Sequence, residues 1–304
     1  MLRKSTIERP LLYSIILNGL IAFTELGGGL FSNSLALISD ALHNFSDFIA
    51  LIISFVAVRV MRWDNNERKS YGYFRVEILA AFINATALVL IGVYIIYEAV
   101  SRLYSPEDIH SRLMIIIASI GFAANIISVF LMRPHRSESL NAKGAFLHLA
   151  SDAANSAAVI VVGILISIYN LRFLDPVISI AIGLLIIKSS WDLLLESANI
   201  LTEGSPKGID LKDVAEFIRT FPGVKGVHHL HIWSLSTNFK ALSAHIVVDD
   251  MQLSHTAEIT QNLEGQLSDK FGINHPTFQL EASPCEDNLI SQYRDRDLPK
   301  RTGA

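Results

Sequence analysis

Residues 35–61 read LALISDALHNFSDFIALIISFVAVRVM, and residues 145–169 read AFLHLASDAANSAAVIVVGILISIY. Each stretch is long and apolar enough to cross the ~30 Å hydrocarbon core of a bilayer as one helix. Each also carries His and Asp four residues apart: His43 and Asp47 in the first, His148 and Asp152 in the second. Positions i and i+4 share a helix face, so two such helices packed side by side bring two imidazoles and two carboxylates to one point. Four N and O donors in a tetrahedron are what Zn²⁺ accepts. A single intramembrane histidine is commonly a structural hydrogen-bonding residue. An ionisable side chain at the bilayer centre nevertheless costs ~2.5–3.5 kcal/mol on insertion scales, and a doubled pair multiplies that cost.

Depth sharpens the reading. At 1.5 Å per residue, a helix entering from the outside near Leu35 places His43 and Asp47 ~12 and ~18 Å below the outer edge of the core. A helix running the other way from Lys143 places His148 and Asp152 ~23 and ~17 Å below that edge. The two pairs meet near the midplane, where an alternating-access carrier holds its substrate. Asp40, on the same face one turn before His43, reads either as a partner that orients a ligand or as an acid near the outer mouth. Glu25, an acid in the first apolar window, reads as an access-path or packing residue and not as a ligand. Ser39-Asp40-Ala41 and Ser151-Asp152-Ala153 bring small residues that let helix backbones approach.

Composition agrees. Of 304 residues, 51% are hydrophobic and only 18% charged, and the mean hydropathy is +0.39, the profile of a membrane protein with a soluble appendage. Apolar windows at 11–31, 35–61, 76–100, 113–132, 145–169 and 174–195 predict six transmembrane helices. The first is too long, and carries Asn18 and Glu25 without a following cleavage signature, for a signal peptide. Lys and Arg concentrate before the first window (Arg3, Lys4, Arg9), between the second and third (Arg59, Arg62, Arg68, Lys69, Arg75) and between the fourth and fifth (Arg133, Arg136, Lys143). Only Arg102, Arg112 and Arg172 occupy the opposite loops, so the positive-inside rule puts both termini in the cytoplasm. The formal net charge of −4 conceals that asymmetry and gives no reason to expect a nucleic-acid partner. With Cys285 as the one cysteine, no intrachain disulfide is possible, in keeping with a reduced compartment.

After Glu203-Gly204-Ser205-Pro206 the composition becomes that of a soluble domain. Periodicity predicts a helix over 210–221, strands over 227–235 and 241–248, a helix over 254–271 and a short strand over 277–281. That α-β-β-α-β order implies a two-layer α+β domain. The expected division is 1–203 for the membrane domain, 204–284 for the cytoplasmic domain and 285–304 for a disordered tail. The cytoplasmic part is rich in histidine, and simple alternation along its first strand puts His229, His231 and Trp233 on one side, with His228, Leu230 and Ile232 on the other.

The stretch from Ser34 to Asp47, the segment Tyr71-Gly72-Tyr73-Phe74-Arg75-Val76-Glu77 and the run from His148 to Asp152 closely resemble the cation diffusion facilitator family, most of all its bacterial zinc efflux branch. The resemblance covers nearly the whole chain. It implies a homodimeric antiporter in the plasma (inner) membrane that exports Zn²⁺, and often Cd²⁺ or Co²⁺, in exchange for protons, with a metallochaperone-like cytoplasmic domain. It further implies that His43, Asp47, His148 and Asp152 are the transport site. The family places metal ligands in the cytoplasmic domain at the dimer contact; His228, His245 and His255 match best, with His275 and Glu281 more loosely placed. Zinc bridging the two tails would be regulatory, and no other cofactor is implied. The family sometimes pairs a basic residue at the start of the third helix with an acid after the sixth, and Arg75 with Glu203 fits, with Asp192 and Glu196 as competitors.

Two departures stand out. The loop Asp64-Asn65-Asn66-Glu67-Arg68-Lys69 lacks the histidine of relatives that bind metal there, and Arg133-Pro134-His135-Arg136 replaces the long histidine-rich loop of animal relatives. No metal site is expected in either. Cys285 beside Glu286 and Asp287 reads as a bystander.

Chemistry supplies a mechanism. Imidazole and carboxylate bind metal only when deprotonated, so protons compete for the site, and an acidic exterior favours metal release. Imidazole suits Zn²⁺, Cd²⁺ and Co²⁺, whereas an all-carboxylate set favours Mn²⁺ or Mg²⁺. The alternatives are a carrier of the same family for Cd²⁺, Co²⁺, Mn²⁺ or Fe²⁺, a membrane metal sensor, and a metalloenzyme. An enzyme would keep an open coordination position and a separate base, and the chain offers neither an HExxH nor a nucleophile-elbow motif. It is read as a non-enzyme.

Overall fold

The structure, a computed structural model, describes residues 8–60, 63, 66–133, 140–283 and 289. Asp64, Asn65, the 134–139 loop with His135 and Arg136, and Cys285, Glu286 and Asp287 lie outside the described residues, as does the rest of the expected tail apart from Leu289.

Six helices form the membrane domain: α1 (Glu8–Ser32), α2 (Leu35–Val60), α3 (Phe74–Tyr104), α4 (Ser111–Met132), α5 (Leu140–Tyr169) and α6 (Leu174–Leu201). Among the described residues, α2 to α6 are long and apolar enough to cross a membrane. At 25 residues, α1 is ~38 Å long. Asn18, Glu25 and the run Gly27-Gly28-Gly29 make it less apolar than its neighbours. The chain divides into two compact units, Met1–Asn66 with Ala80–Leu194, and Glu67–Leu79 with Leu195–Ala304.

In the first unit α1 packs along α2, α4 along α5, and α2 also meets α5. On α3 and α6, Gly92 and Gly183 face each other so closely that a Cβ on Gly92 would sit 2.6 Å from Ile187 Cγ1. Small residues thus set the helix spacing. The buried apolar cluster is concentrated at one end of the bundle, where α2, α4 and α6 begin and α3 and α5 end. It includes Leu35, Leu37, Ile95, Met114, Val159, Ile166 and Ile182.

The start of α2 is fixed with unusual completeness. Its first backbone N–H groups lack intrahelical acceptors, and the buried Asp175 of α6 supplies them. Leu35 N donates to Oδ2 at 2.9 Å and Ala36 N to Oδ1 at 3.2 Å. Ser34 Oγ donates to the same carboxylate at 2.5 Å and accepts from Leu37 N at 3.1 Å. Arg102 of α3 holds the preceding turn by donating to Asn33 O at 2.9 Å. Just over two turns after this cap comes His43, so its depth is set by a rigid anchor.

The second unit contains α7 (Leu211–Arg219), β1 (Val224–Ser234), β2 (Lys240–Val248), α8 (Leu253–Phe271) and β3 (His275–Glu281). This is the α-β-β-α-β order expected from periodicity. Asp210 caps α7 by accepting from Lys212 N, and Gly272 ends α8 at φ 65°, the left-handed conformation glycine adopts without penalty. The sheet runs β1-β2-β3, with β1 and β2 antiparallel and β2 and β3 parallel. Val214, Ile218, Leu230, Leu242, Ile246, Leu263 and Leu267 lie in the core between helices and sheet.

One expectation fails here. The alternation along β1 is broken by a register shift between His228 and His231, with His229 at φ 48°. His229 is an extra residue in the strand, a β-bulge. The bulge restarts the alternation, so Val227, Leu230 and Ile232 enter the core, while His228 pairs with His245 and His231 with Ser243. His228 therefore shares the face of His231 and Trp233 and not that of Leu230. At the bulge Leu230 N donates to Leu289 O at 2.9 Å instead of to β2.

Candidate metal centres

In the membrane domain, α2 and α5 bring His43, Asp47, His148 and Asp152 together, with one ligand atom from each all within 4.8 Å of one another. The pairing crosses between helices. His43 Nε2 lies 3.3 Å from Asp152 Oδ1, and His148 Nε2 lies 3.2 Å from Asp47 Oδ2 and 3.7 Å from Asp152 Oδ2. The imidazole centroids are 5.9 Å apart at 81°. Ligand atoms ~2.0–2.1 Å from a tetrahedral Zn²⁺ are ~3.3 Å from each other, which the crossed contacts already match.

Exposure is graded across the cluster. The Asp152 side chain is 5% exposed and His43 20%, against 30% for Asp47 and 48% for His148. The open side is the one on which α2 continues past Asp47 and α5 begins; the apolar cluster lies at the other end. Asp47 and His148, the two more exposed ligands, lie on that side of the cluster.

Asp40 and Glu25 are not among the four. Asp40 is fully buried; Ser156 Oγ of α5 donates to its Oδ2 at 2.9 Å, and its Oδ1 has no partner among the described residues. Glu25 is 1% exposed; Asn44 Nδ2 donates to its Oε2 at 2.6 Å, and its Oε1 has no partner among the described residues. Asn44, Ser156 and Gly121, against which the Glu25 carboxyl lies, were not singled out in the sequence. Asn44 is adjacent to His43, and polar residues next to an intramembrane ligand were the available signal.

The cytoplasmic domain holds a second cluster, one residue from each strand. His228 Nε2 is 3.1 Å from Glu281 Oε2, and His245 Nδ1 is 2.8 Å from Glu281 Oε1. The ligand atoms of the three lie within 4.8 Å of one another. The His229 ring comes within 4.7 Å of the His245 ring and 5.3 Å of the His228 ring. His255 and His275 are not brought into this cluster. His255 is exposed in the first turn of α8, and His275, at the opposite end of β3 from Glu281, lies against Tyr71 and Phe239 at 5.6 and 6.3 Å. Arg75 Nη2 donates to Glu203 Oε1 at 2.9 Å, so Glu203 is the acid that takes this cation.

Residues 11–202 match the cation efflux transmembrane domain, and residues 206–283 match the cation efflux protein cytoplasmic domain. The chain belongs to the cation diffusion facilitator family. It is 40% identical over 286 residues, 94% of this chain and 90% of the relative, to the metal cation efflux system protein CzcD of Cupriavidus metallidurans. It is 38% identical over 297 residues to the cadmium, cobalt and zinc/H(+)-K(+) antiporter of Bacillus velezensis, covering 96% of this chain and 95% of that one. It is also 35% identical over 280 residues to the zinc transporter ZitB of Escherichia coli, 91% of this chain and 88% of that one. This is a family of transporters, and the chain is a multi-pass membrane protein.

Proposed function

We propose that this chain is a homodimeric antiporter of the bacterial plasma membrane that exports Zn²⁺ from the cytoplasm in exchange for protons, through a tetrahedral site of His43, Asp47, His148 and Asp152. The observation that carries this reading is the crossed four-donor cluster between α2 and α5, whose donors are those Zn²⁺ takes. Four protein ligands fill the tetrahedron, so the site binds and releases an ion and has no open position for hydrolytic chemistry. Imidazole in half the positions selects against Mn²⁺ and Mg²⁺. The names of the Cupriavidus and Bacillus relatives support Cd²⁺ and Co²⁺ as further cargo.

Both termini lie in the cytoplasm, so the open side of the cluster, beside Asp47 and His148, faces the cytoplasm and the apolar cluster seals the outside. This arrangement is the metal-loading state. Deprotonated donors take Zn²⁺ there; after reversal to the exterior, protons displace it. Residues 1–203 carry the ion and residues 204–284 dimerise. His228, His245 and Glu281 of that domain hold a regulatory zinc, with His255 and His275 as candidate ligands from across the dimer.

The test is zinc uptake into vesicles carrying a pH gradient, read by an internal dye, for the wild type and Asp152→Ala. Gradient-driven uptake that the variant loses supports the reading. A folded wild type that binds Zn²⁺ and never accumulates it would make the protein a sensor.

A further inference from the structure

Glu25 is a buried carboxyl that the four-ligand site does not use. It faces the interior from α1 with 1% of its surface exposed. Its Oε2 accepts one neutral hydrogen bond, from Asn44 Nδ2 at 2.6 Å, and its Oε1 accepts none among the described residues. The second oxygen lies so close to Gly121 of α4 that any Cβ there would collide with it. The pocket is therefore shaped to the carboxyl.

Among the described residues, no cation lies against it. The charged groups that act on it are Asp40 of α2 and Asp152 of α5, both acids. Between Arg112 and Arg133, α4 has no charged residue. On α2 and α5 the bases at this depth are His43 and His148, whose ring nitrogens face Asp152 and Asp47. A carboxylate buried without a cation carries a large desolvation cost, which a proton removes. A dication at the four-donor cluster, one of whose members, Asp152, already acts on Glu25, removes it in another way, by Coulomb attraction in a medium of low dielectric. The link is short, because Asn44, which holds Glu25, follows His43 directly on α2.

We propose that Glu25 is a proton-binding site separate from the metal ligands, protonated while the four-donor cluster is empty and ionised while the cluster holds metal. The proposal rests on the metal/proton exchange described above and adds to it. On loading, the Glu25 O–H bond breaks, the proton leaves to solvent and the carboxylate remains; on unloading, a proton from the exterior restores the acid. A proton carried by Glu25, in addition to those displaced from the imidazoles, thus reduces the net charge exported with each Zn²⁺.

The experiment uses the purified full-length protein in detergent. Zn²⁺ is titrated into a weakly buffered solution while released protons are counted, and infrared difference spectra are taken between the zinc-loaded and zinc-free protein, for wild type and Glu25→Gln. Gln has the size of Glu and still accepts from Asn44. In the wild type, zinc loading is expected to remove a protonated-carboxyl band. In Glu25→Gln that loss is expected to vanish, with about one proton fewer released per Zn²⁺ and a zinc affinity that varies less with pH. Protons released by the cytoplasmic cluster are common to both proteins and cancel. Equal proton counts and the same band loss in the variant would overturn the assignment. So would a wild-type spectrum without any such loss, a result that does not require the variant to fold. Wild-type binding of Zn²⁺ with no proton release at all would instead overturn the exchange reading itself.

Discussion

His43 Nε2 lies 3.3 Å from Asp152 Oδ1 on the facing helix, whereas Asp47, one turn along its own helix, lies 3.2 Å from His148. The two shortest contacts cross between the helices, and only the longer one, His148 Nε2 to Asp152 Oδ2 at 3.7 Å, joins a pair on its own helix, so the tetrahedron depends on α2 and α5 keeping their register. A slide of one helix by a turn would break both contacts at once. That gives the bundle a means of coupling ion occupancy to helix motion.

Asp152 is the pivot of this arrangement, because its two oxygens face both histidines, at 3.3 and 3.7 Å, and its side chain is 5% exposed. Asp47 pairs with His148 at 3.2 Å and is 30% exposed. Asp152→Asn is therefore expected to weaken zinc binding to the detergent-purified protein by about 100-fold or more, beyond the 10–100-fold typical of residues that only orient a ligand, and Asp47→Asn by less. Calorimetric titration of both variants checks the order; equal losses would contradict it.

Much of this site was legible in the sequence, because i and i+4 on a helix share a face whatever the surroundings. The two pairs and the order of elements in the cytoplasmic domain needed only periodicity. The crossing of the pairs was not legible, since it depends on how two antiparallel helices are staggered. Nor was the bulge at His229: a period-2 pattern contains no mark for an extra residue, and His228, assigned to the wrong face, is the residue affected. Ser156 and Gly121 are defined entirely by what α2 and α1 press against them, which no local pattern encodes.

Zinc binding is expected to weaken in acid, because each imidazole must be deprotonated to ligate and protons compete with the ion for its lone pair. Once the solution is acid enough to protonate the free imidazoles, each further pH unit lowers affinity by about tenfold for every proton displaced. His148→Ala removes one such proton and flattens the slope. Dissociation constants measured from pH 5 to 8 for wild type and variant test this; parallel curves would exclude His148 as a ligand.

Asp175 anchors α2 through two backbone N–H groups and Ser34 Oγ, so its removal leaves buried donors without acceptors. Asp175→Ala should destabilise the membrane domain by about 1–3 kcal/mol, seen as a lower melting temperature in detergent. Since His43 follows this cap by just over two turns, zinc affinity should fall as well. A variant that melts normally would show that the cap is not what fixes α2.

Glu281 joins the two histidines of the second cluster, one oxygen toward His228 and the other toward His245, at 3.1 and 2.8 Å. Gln in its place keeps the size but loses the charge that neutralises a bound dication, and its amide nitrogen offers no lone pair to a metal. Glu281→Gln is therefore expected to bind about one zinc fewer per protomer while still accumulating Zn²⁺ in vesicles down a pH gradient, because the four membrane ligands are untouched. If tail zinc regulates the carrier, the variant should need a higher zinc concentration for half-maximal uptake, and its maximal rate should change little. Loss of all uptake in a folded Glu281→Gln protein would instead make the cytoplasmic zinc an obligatory part of the transport cycle.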